Sequence, residues 1–406
     1  MLQALENGVK GGQWFSLMDK VWNRENLAQG WLSTTLNQGS AGVDQQTIQQ
    51  FNAQLTEGLD TLHQELRDGS YEPQAVRRCW ITKLGSREKR PLGIPAVRDR
   101  IVQGAIRNVI EPIFERIFAE HSYGFRPGRG CKDALRRVDQ LLREGKTWVV
   151  DVDLKGYFDS IPQDQLMERV KEQISDGRLL VLLERYLKAG VFETLKRWEP
   201  TEQGTPQGAV ISPLLANLYL NPLDHWMAQQ GYDMTRYADD FVVQCRSEAE
   251  ANAALARIRQ WAQENGLTIH PTKTRIVDAR PKGGFDFLGY HFERGLKWPR
   301  QKSLDKFKES IRSQTRRTQG QSMEEIMADL HPKMRGWFEY FKHSHWTVFG
   351  SVDSWVLGRL RSILRKHQGK RGRARGSDHQ HWPNVYFDKL GLFSLKKAHG
   401  LILQSP

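Results

Sequence analysis

Two pairs of aspartates, far apart in the chain, combine a residue type and a setting that suit metal chemistry. Asp151 and Asp153 lie in the apolar run 148–154, and Asp239 and Asp240 join two other apolar runs. Alternate residues of a strand point to the same face, so Asp151 and Asp153 are expected to share one. Carboxylates gathered in this way repel each other, and their pKa values rise unless cations lie among them.

The ligand set of these aspartates favours magnesium, because oxygen donors with no Cys or His nearby suit Mg²⁺ better than zinc. Two such ions about 3.5–4 Å apart would activate a sugar 3′-hydroxyl and stabilise a leaving pyrophosphate, which is the chemistry of nucleotidyl transfer. Two structural alternatives stay open. Asp151 or Asp153 could cap the following helix, and Asp239-Asp240 could form an ordinary turn, where Asp is common.

Short apolar runs predict the strands that would position these acids. Strands are predicted over 148–154, 234–238, 241–245 and 285–292, and a basic β-hairpin over 76–83 and 90–94. Helices are predicted within 1–40 and over about 45–66, 98–118, 163–188, 211–225 and 248–265. Beyond Lys302 the pattern is all helical, so an α+β region followed by a helical region is expected.

The overall charge points to a polyanionic partner. The chain has 60 Lys+Arg against 47 Asp+Glu, a formal charge of +13, and the basic residues concentrate in 77–107, 300–317 and 359–375. Three separated clusters favour a long groove over a single tail. The three cysteines are far apart, which excludes a disulfide framework, and no apolar run is long enough for a membrane span, so a cytoplasmic protein is expected.

The order of motifs along the chain resembles a reverse transcriptase, and its wording is most similar to the proteins encoded by bacterial group II introns. The matching blocks are RPLGIP at 90–95, HSYGFRPG at 121–128, DLKGYFD at 153–159, GTPQG at 204–208, ISPLLAN at 211–217, YADD at 237–240, GLTIHPTKT at 266–274 and FLGY at 287–290. GSAGVD at 39–44 resembles the extra N-terminal block of the family, and KMRGWFEYF at 333–341 resembles its thumb or maturase domain.

The resemblance implies an α+β fold of the right-hand polymerase type, with fingers and an antiparallel palm sheet followed by an all-helical thumb/maturase domain. The domains it implies are an N-terminal helical extension of the fingers over 1–75, fingers and palm over 76–292, the helical thumb/maturase domain over 293–370, and a basic C-terminal tail, a possible remnant DNA-binding region, over 371–406. The cysteine pairs of the family's endonuclease domain do not occur, so second-strand cleavage by this chain is not expected.

The resemblance also implies the catalytic residues. Asp153, Asp239 and Asp240 would be the catalytic and metal-binding acids for two Mg²⁺ ions. Asp151 does not occupy a ligand position of the family and is left as a supporting charge.

Five residues are implied to bind the incoming nucleotide, each with a plainer alternative. Phe158 would close under the sugar and reject a ribose 2′-hydroxyl, or be a core aromatic. Gln207 would contact the nucleotide or template, or pack its loop. Lys83 and Arg90 would hold the triphosphate, or be solvated strand charges. Lys273 would act as a general acid towards pyrophosphate, or pair with a neighbouring acid.

Binding of RNA is assigned to the basic residues of the helical region. The candidates are Arg312, Arg316, Arg317, Arg359, Arg361 and Arg365, and the last three lie on a partly amphipathic basic helix that could follow phosphates. Trp337, Tyr340 and Phe341 recur at helical spacing and are expected in a helical core.

The resulting functional hypothesis is an intron-encoded, RNA-directed DNA polymerase. Its implied partners are its group II intron RNA, whose splicing it would assist, a DNA target or primer, and dNTP substrates, with no membrane. Two alternatives stay open: a domesticated host reverse transcriptase in repair or phage defence, and a splicing cofactor whose polymerase is dispensable. The sequence leaves the oligomeric state open.

Overall fold

The computed structural model describes residues 12–82, 89–193, 197–201, 203–318 and 320–404. The chain folds into two compact units, Met1–Val277 and Asp278–Pro406. The division comes before residue 292, where the resemblance implied a boundary, because the strands after residue 280 pair with one another. The four-part division into domains stays a prediction.

The first unit is built around one long buried helix. Its helices are α1 (Met18–Val21), α2 (Arg24–Leu36), α3 (Ile48–Ala53), α4 (Leu55–Asp68), α5 (Val97–Glu115), α6 (Cys131–Arg143), α7 (Tyr157–Ser160), α8 (Gln163–Lys171), α9 (Gly177–Lys188), α10 (Ser212–Gln229) and α11 (Glu248–Glu264). Helix α5 is apolar on several faces, and Ile101, Val102, Ala105 and Ile106 are fully buried. Helix α2 packs closely on it at Gly30, where a Cβ would lie 2.4 Å from the carbonyl oxygen of Ile101.

Two four-stranded sheets complete the first unit. Its strands are β1 (Val76–Thr82), β2 (Lys89–Ile94), β3 (Trp148–Val152), β4 (Val191–Glu193), β5 (Arg197–Glu199), β6 (Asp233–Tyr237), β7 (Asp240–Cys245) and β8 (Arg275–Asp278). One sheet has the order β2-β1-β4-β5 and contains the predicted basic hairpin. The other has the order β6-β7-β3-β8, with β7 antiparallel to both β6 and β3.

The predicted helix over 163–188 is interrupted in the structure. The backbone of Trp14 forms hydrogen bonds with Gln173 and Ser175, both 2.8 Å long, between α8 and α9. Asp176 then caps α9 and also accepts hydrogen bonds from the amides of Leu17 and Met18. The sequence-based prediction missed this break because the competing partner is 159 residues away in the chain.

The second unit combines a small sheet with a helical bundle. Its elements are β9 (Phe285–Phe287), β10 (Tyr290–Glu293), β11 (Leu296–Pro299), α12 (Gln301–Gln314), α13 (Met323–Phe341), α14 (Thr347–His367), α15 (Gly376–His381), α16 (Asn384–Lys389) and α17 (Leu395–Gln404). The prediction of one strand over 285–292 is wrong. Leu288 and Gly289, with φ of 46° and 85°, form a turn, and β9 pairs antiparallel with β10.

The segment predicted as a basic tail is folded. Phe387 of α16 and Leu395 of α17 are fully buried in the same apolar cluster as Phe338 of α13 and Phe349 of α14. Trp337 packs against this cluster, in keeping with the core expected for the 333–341 segment. Within the parts of the chain that the structure describes, none of the helices is both long enough and apolar enough to cross a membrane.

Candidate active site

Asp239 lies at the tip of the hairpin formed by β6 and β7. Tyr237 pairs with Asp240, so Ala238 and Asp239 are the two residues of the turn. Ala238 has a φ of 60°, in the left-handed region where a residue with a Cβ is disfavoured. A conformation of this kind persists only where its surroundings hold it in place.

The buried side chain of Arg236 holds this turn from behind. It has no solvent exposure, and its Nε donates to both carboxylate oxygens of Asp224 at 2.8 and 3.0 Å. Its Nη1 donates to the side-chain oxygen of Asn217 at 2.8 Å and to the carbonyl of Ala238 at 2.9 Å. Burial lowers the pKa of Arg236, but the charge and hydrogen bonds of Asp224, together with Tyr157 and Asp239, outweigh it, so the pKa is raised. The strained turn is therefore fixed by a charged and hydrogen-bonded buried network.

Gly124 fits closely against the same turn. The side-chain amide of Asn217 donates to the carbonyl of Gly124 at 2.6 Å. A Cβ on Gly124 would lie 2.4 Å from the backbone nitrogen of Ala238. Only glycine fits at this position without moving the turn.

Asp153 follows the last residue of β3, beside the turn. Val152 pairs with Phe241 and Asp151 with Val242, so the next step of the antiparallel register brings Asp153 opposite Asp240. The carbonyl of Asp153 accepts from the amide of His270 at 2.8 Å. The two distant acidic segments thus meet at one end of the β6-β7-β3-β8 sheet.

The acids of this cluster are partly offset by basic residues from the segment leading into β8. Lys273 Nζ lies 3.2 Å from Asp153 Oδ2, and Arg275 Nε lies 3.2 Å from Asp151 Oδ2. The plainer alternative for Lys273, an ion pair with a neighbouring acid, describes this structure, and its role as a general acid stays a prediction. Asp151 likewise occupies a salt bridge, as a supporting charge would.

Asp239 carries the electrostatic signature of a crowded acid. Burial raises its pKa most and a backbone hydrogen bond lowers it in part, while the charge of Asp153 raises it further and that of Arg236 lowers it slightly. Asp240 is exposed at the start of β7. Carboxylate oxygens from these three residues match the donor chemistry that Mg²⁺ prefers. Among the described residues, no group of three or more His, Cys, Asp or Glu side chains is already arranged to hold an ion.

A cavity brings together the 204–208 loop, the basic hairpin and Asp159, which follows Asp153 by six residues. It is lined by residues that include Arg78, Gly93, Asp159, Glu199 and Gln207. Gln207 donates from its side-chain amide to Asp159 Oδ2 at 3.3 Å, and its carbonyl accepts from Gly93 at 2.6 Å. The half-buried Gln207 therefore joins the loop, the hairpin and the segment after β3.

Phe158 is half-buried and directly precedes Asp159, which lines this cavity. Its ring lies 5.7 Å from that of Tyr157 in an edge-on arrangement, and its carbonyl accepts from Thr205 at 2.7 Å. It packs against the main core cluster without being enclosed by it. Both the sugar-contacting role and the core-aromatic alternative remain compatible with this position.

The two residues assigned to the triphosphate differ in what the structure describes. Arg90 is exposed on β2, opposite Ile81 of β1. Lys83 lies outside the described residues. Their roles stay predictions.

The six arginines assigned to RNA divide into two sets in the second unit. Arg312, Arg316 and Arg317 are exposed, and Arg359 is half-buried. Arg361 is not on an exposed face as the prediction requires. It is 2% exposed, and its guanidinium donates to the carbonyl of Trp382 at 2.9 Å and to the side-chain oxygen of Asn384.

The guanidinium of Arg365 also bonds to other residues of the second unit. Its Nη1 lies 3.0 Å from Asp378 Oδ2, and its Nε donates to the carbonyl of Arg371 at 3.1 Å. Arg361 and Arg365 therefore bond within the fold, because α15 and α16 cover that side of α14, and RNA binding by either residue stays a prediction. Arg312, Arg316, Arg317 and Arg359 remain candidates for binding RNA.

Comparison with known proteins identifies the family. Residues 81–292 match the reverse transcriptase (RNA-dependent DNA polymerase) family, which is more than half of the chain. This chain is a member of the reverse transcriptase family. Residues 304–382 of the chain match the group II intron maturase-specific domain.

Individual relatives agree with this assignment. This chain is 42% identical over 173 residues to the group II intron-encoded protein LtrA of Lactococcus lactis subsp. cremoris, a match that covers 43% of this chain and 28% of LtrA. It is 33% identical over 317 residues to protein YkfC of Escherichia coli K12, covering 68% of this chain and 83% of YkfC. A solved telomerase from Candida albicans aligns with a TM-score of 0.46 at 11% identity, over 85% of this chain and 68% of that one, too weakly to bear on the assignment.

The role of three residues that support the turn was not recognised from the sequence. Arg236, Asp224 and Asn217 are buried polar residues in segments that read as an apolar strand and an apolar helix. The available signal was an arginine within a buried strand, which requires an acidic partner. Nothing in the spacing of the sequence showed that Asp224 is that partner.

Proposed function

We propose that this chain is an RNA-directed DNA polymerase that adds dNTPs to the 3′ end of a primer on an RNA template. The observation that carries the proposal is the pairing of β3 with β7, which puts Asp153 next to the Asp239-Asp240 turn. Membership of the reverse transcriptase family over 81–292 supports the same activity.

Asp153, Asp239 and Asp240 would hold two Mg²⁺ ions. When bound, such ions lower the pKa of the attacking 3′-hydroxyl and stabilise the charge on the leaving pyrophosphate. The chain contributes oxygen donors at the end of a rigid sheet, and Arg236 keeps the turn in place by its bonds to Asp224 and Ala238. Lys273, which neutralises Asp153 in this structure, would be released towards the triphosphate or pyrophosphate.

The cavity at the 204–208 loop would receive the incoming nucleotide and the templating base. The side-chain amide of Gln207 is oriented by its hydrogen bond to Asp159, which leaves the side-chain oxygen Oε1 for the nucleotide or template. Phe158 would limit the space at the sugar, and Arg90, with Lys83, would bind the triphosphate. A guanidinium suits this role because its donors match two phosphate oxygens at once.

The second unit would bind the group II intron RNA and assist its splicing. Support comes from the maturase-specific match over 304–382 and from the basic residues Arg312, Arg316, Arg317 and Arg359. A polymerase that binds its own intron RNA could then copy that RNA from a primer at a DNA target, as in retrohoming.

Primer extension on an RNA template with Mg²⁺ tests the proposal. Asp239→Ala is expected to lower the extension rate roughly a thousandfold or more, since loss of a metal site removes several kcal/mol of transition-state stabilisation. The exposed Asp164 on α8 offers a matched control, because Asp164→Ala removes the same charge elsewhere in the first unit. Equal extension by the wild type and Asp239→Ala would overturn the proposal.

A further inference from the structure

A large cavity in the second unit is lined by arginines. It has a volume of about 720 Å³ and lies between the end of α12, one side of α14 and the segment before α15. Its basic lining consists of Arg312, Arg316, Arg317, Arg359, Arg373 and His379. No acidic side chain is among the described residues that line it. The lining therefore concentrates positive charge around a concave space.

Trp355 lies at the centre of this charge. Lys308, Arg312 and Arg359 each place their charged group over its indole ring, at 5.8, 5.6 and 5.5 Å from the ring centre. An indole face attracts cations and also stacks well on nucleobases. Three cations from two helices thus converge on one half-buried aromatic ring.

The converging charges repel each other. Burial lowers the pKa of Arg359 most, and the charges of Arg312 and Arg317 lower it further, while the charge of Glu309 offsets part of this shift. Arg359 donates to Thr315, at 2.6 Å to its hydroxyl and 2.9 Å to its carbonyl, so its bonded partners are neutral. Of the cavity arginines, Arg312 forms an ion pair with Glu309 at 3.0 Å, outside the lining. An anion in the cavity would relieve this repulsion.

The shape of the cavity selects among nucleic-acid ligands. Its floor is made by Ser354, Gly358 and Ser362, which recur every four residues on α14 and leave room beside Trp355. One wall is fixed where Arg317 donates to the carbonyl of Gly372 at 2.8 Å. A volume of this size is typical of pockets that enclose a small ligand, whereas a duplex needs an extended surface. Unpaired RNA bases can enter such a pocket and stack on aromatic or guanidinium planes.

We propose that this cavity takes one unpaired nucleotide of an RNA, with its phosphate among Arg312, Arg316 and Arg359 and its base against Trp355. The inference rests on the proposed RNA-binding function of the second unit and specifies the ligand as a bulged or looped nucleotide. It also gives Trp355 a role in binding that its position on a helical bundle alone does not require.

Binding to two RNA hairpins tests this inference. One hairpin is fully paired and the other carries a single bulged adenosine, and the full-length chain is titrated against each by fluorescence anisotropy at several salt concentrations. Wild type is expected to bind the bulged hairpin at least fivefold more tightly. Arg316→Ala is expected to remove this preference and to reduce the salt slope by about one.

Substitutions at Trp355 separate stacking from packing. Trp355→Leu is expected to weaken binding to the bulged hairpin about tenfold, and Trp355→Phe, which keeps an aromatic face, is expected to retain most of it. Arg335→Ala is the matched control, because Arg335 is exposed on α13 and does not line the cavity. If Trp355→Leu does not fold, Arg316→Ala decides, since the Arg316 side chain is exposed.

Equal affinity of the wild type for the two hairpins would overturn the inference. So would a loss of preference in Arg335→Ala as large as that in Arg316→Ala. Primer extension by the same preparations distinguishes the two proposals. If extension depends on Asp239 while the hairpins bind equally, the cavity inference fails and the polymerase proposal stands. If extension does not depend on Asp239, the polymerase proposal fails whatever the hairpins show.

Discussion

The acidic turn of the first unit and the arginine cavity of the second both concentrate charge, but the arginines at the two sites differ in their bonded partners. Arg236, behind the turn, is fully buried and paired with the carboxylate of Asp224. Arg359, in the cavity, donates to the neutral oxygens of Thr315 and lies near other cations. An arginine with its own buried carboxylate stabilises the scaffold. Arg359, whose bonded partners in the cavity are neutral, keeps its charge available for a ligand, although Arg312 beside it is paired with Glu309.

The largest effect on stability is expected when the scaffold arginine is removed. Arg236→Met leaves Asp224 buried without its counter-charge, so the free energy of unfolding should fall by about 3–5 kcal/mol. Arg359→Met should cost about 1 kcal/mol, because it loses hydrogen bonds but relieves repulsion. Denaturant unfolding measures both. Similar losses for the two variants would show that Arg236 does not stabilise the fold more than Arg359 does. Adding Asp224→Leu to Arg236→Met should restore part of the stability, because it removes the unpaired carboxylate.

A buried acid without a paired arginine should make stability depend on pH. Asp99 is 1% exposed, and its carboxylate accepts from the Tyr71 hydroxyl and from the Gln74 amide at 3.1 Å. Burial raises its pKa from 3.8 to about 6, against smaller effects of these hydrogen bonds and Arg98. The folded state therefore holds this proton more tightly than the unfolded state, and stability is lost as the pH rises from about 4 to 6.

The size of this effect is about 3 kcal/mol, which follows from about 1.4 kcal/mol for each unit of pKa difference. Asp99→Asn cannot ionise, so the wild type should lose about this much stability relative to the variant between pH 4 and pH 7. The exposed Asp164→Asn serves as the control. A difference between wild type and Asp99→Asn that stays constant with pH would rule out this account of Asp99.

Gly124 tests whether the position of the turn matters for activity. In Gly124→Ala the new Cβ would lie 2.4 Å from the backbone nitrogen of Ala238 and must displace the turn. A shift of about 1 Å in a catalytic group can lower a rate about a hundredfold, and extension should fall by that order. Gly177→Ala is the matched control, since no atom lies within 4 Å of its new Cβ. Full activity in Gly124→Ala would show that the turn need not be fixed.

The smallest effect is expected at Lys273. Its ion pair with Asp153 is exposed, with 56% and 39% of the two side chains accessible. Such a pair contributes less than about 1 kcal/mol after solvent screening, so Lys273→Met should hardly change the free energy of unfolding. Extension should fall less than tenfold if Lys273 only pairs with Asp153. A loss of a hundredfold or more would instead support its role as a general acid.

Local patterns predicted the elements of the site better than they predicted its supports. The hairpin around Asp239-Asp240, the strand before Asp153 and the basic β1-β2 hairpin all follow from apolar runs and turn residues within one segment. The break between α8 and α9 depends on Trp14, which is far away in the chain. The burial of Arg361 depends on the segment around Trp382, and the pattern of α14 alone does not show that this segment covers it. A buried ion pair such as that of Arg236 with Asp224 is recognised only in the folded structure, where the two side chains meet.

Cleavage of the chain by bound iron tests most directly whether the two acidic segments share divalent ions. Fe²⁺ substituted for Mg²⁺ generates hydroxyl radicals with ascorbate and peroxide, and these cut the backbone close to the ion. If the two segments share ions, cuts are expected near residues 153 and 239 in the wild type, both suppressed by excess Mg²⁺ and both lost in Asp153→Asn. A cut near residue 239 that persists at full strength in Asp153→Asn would contradict this sharing.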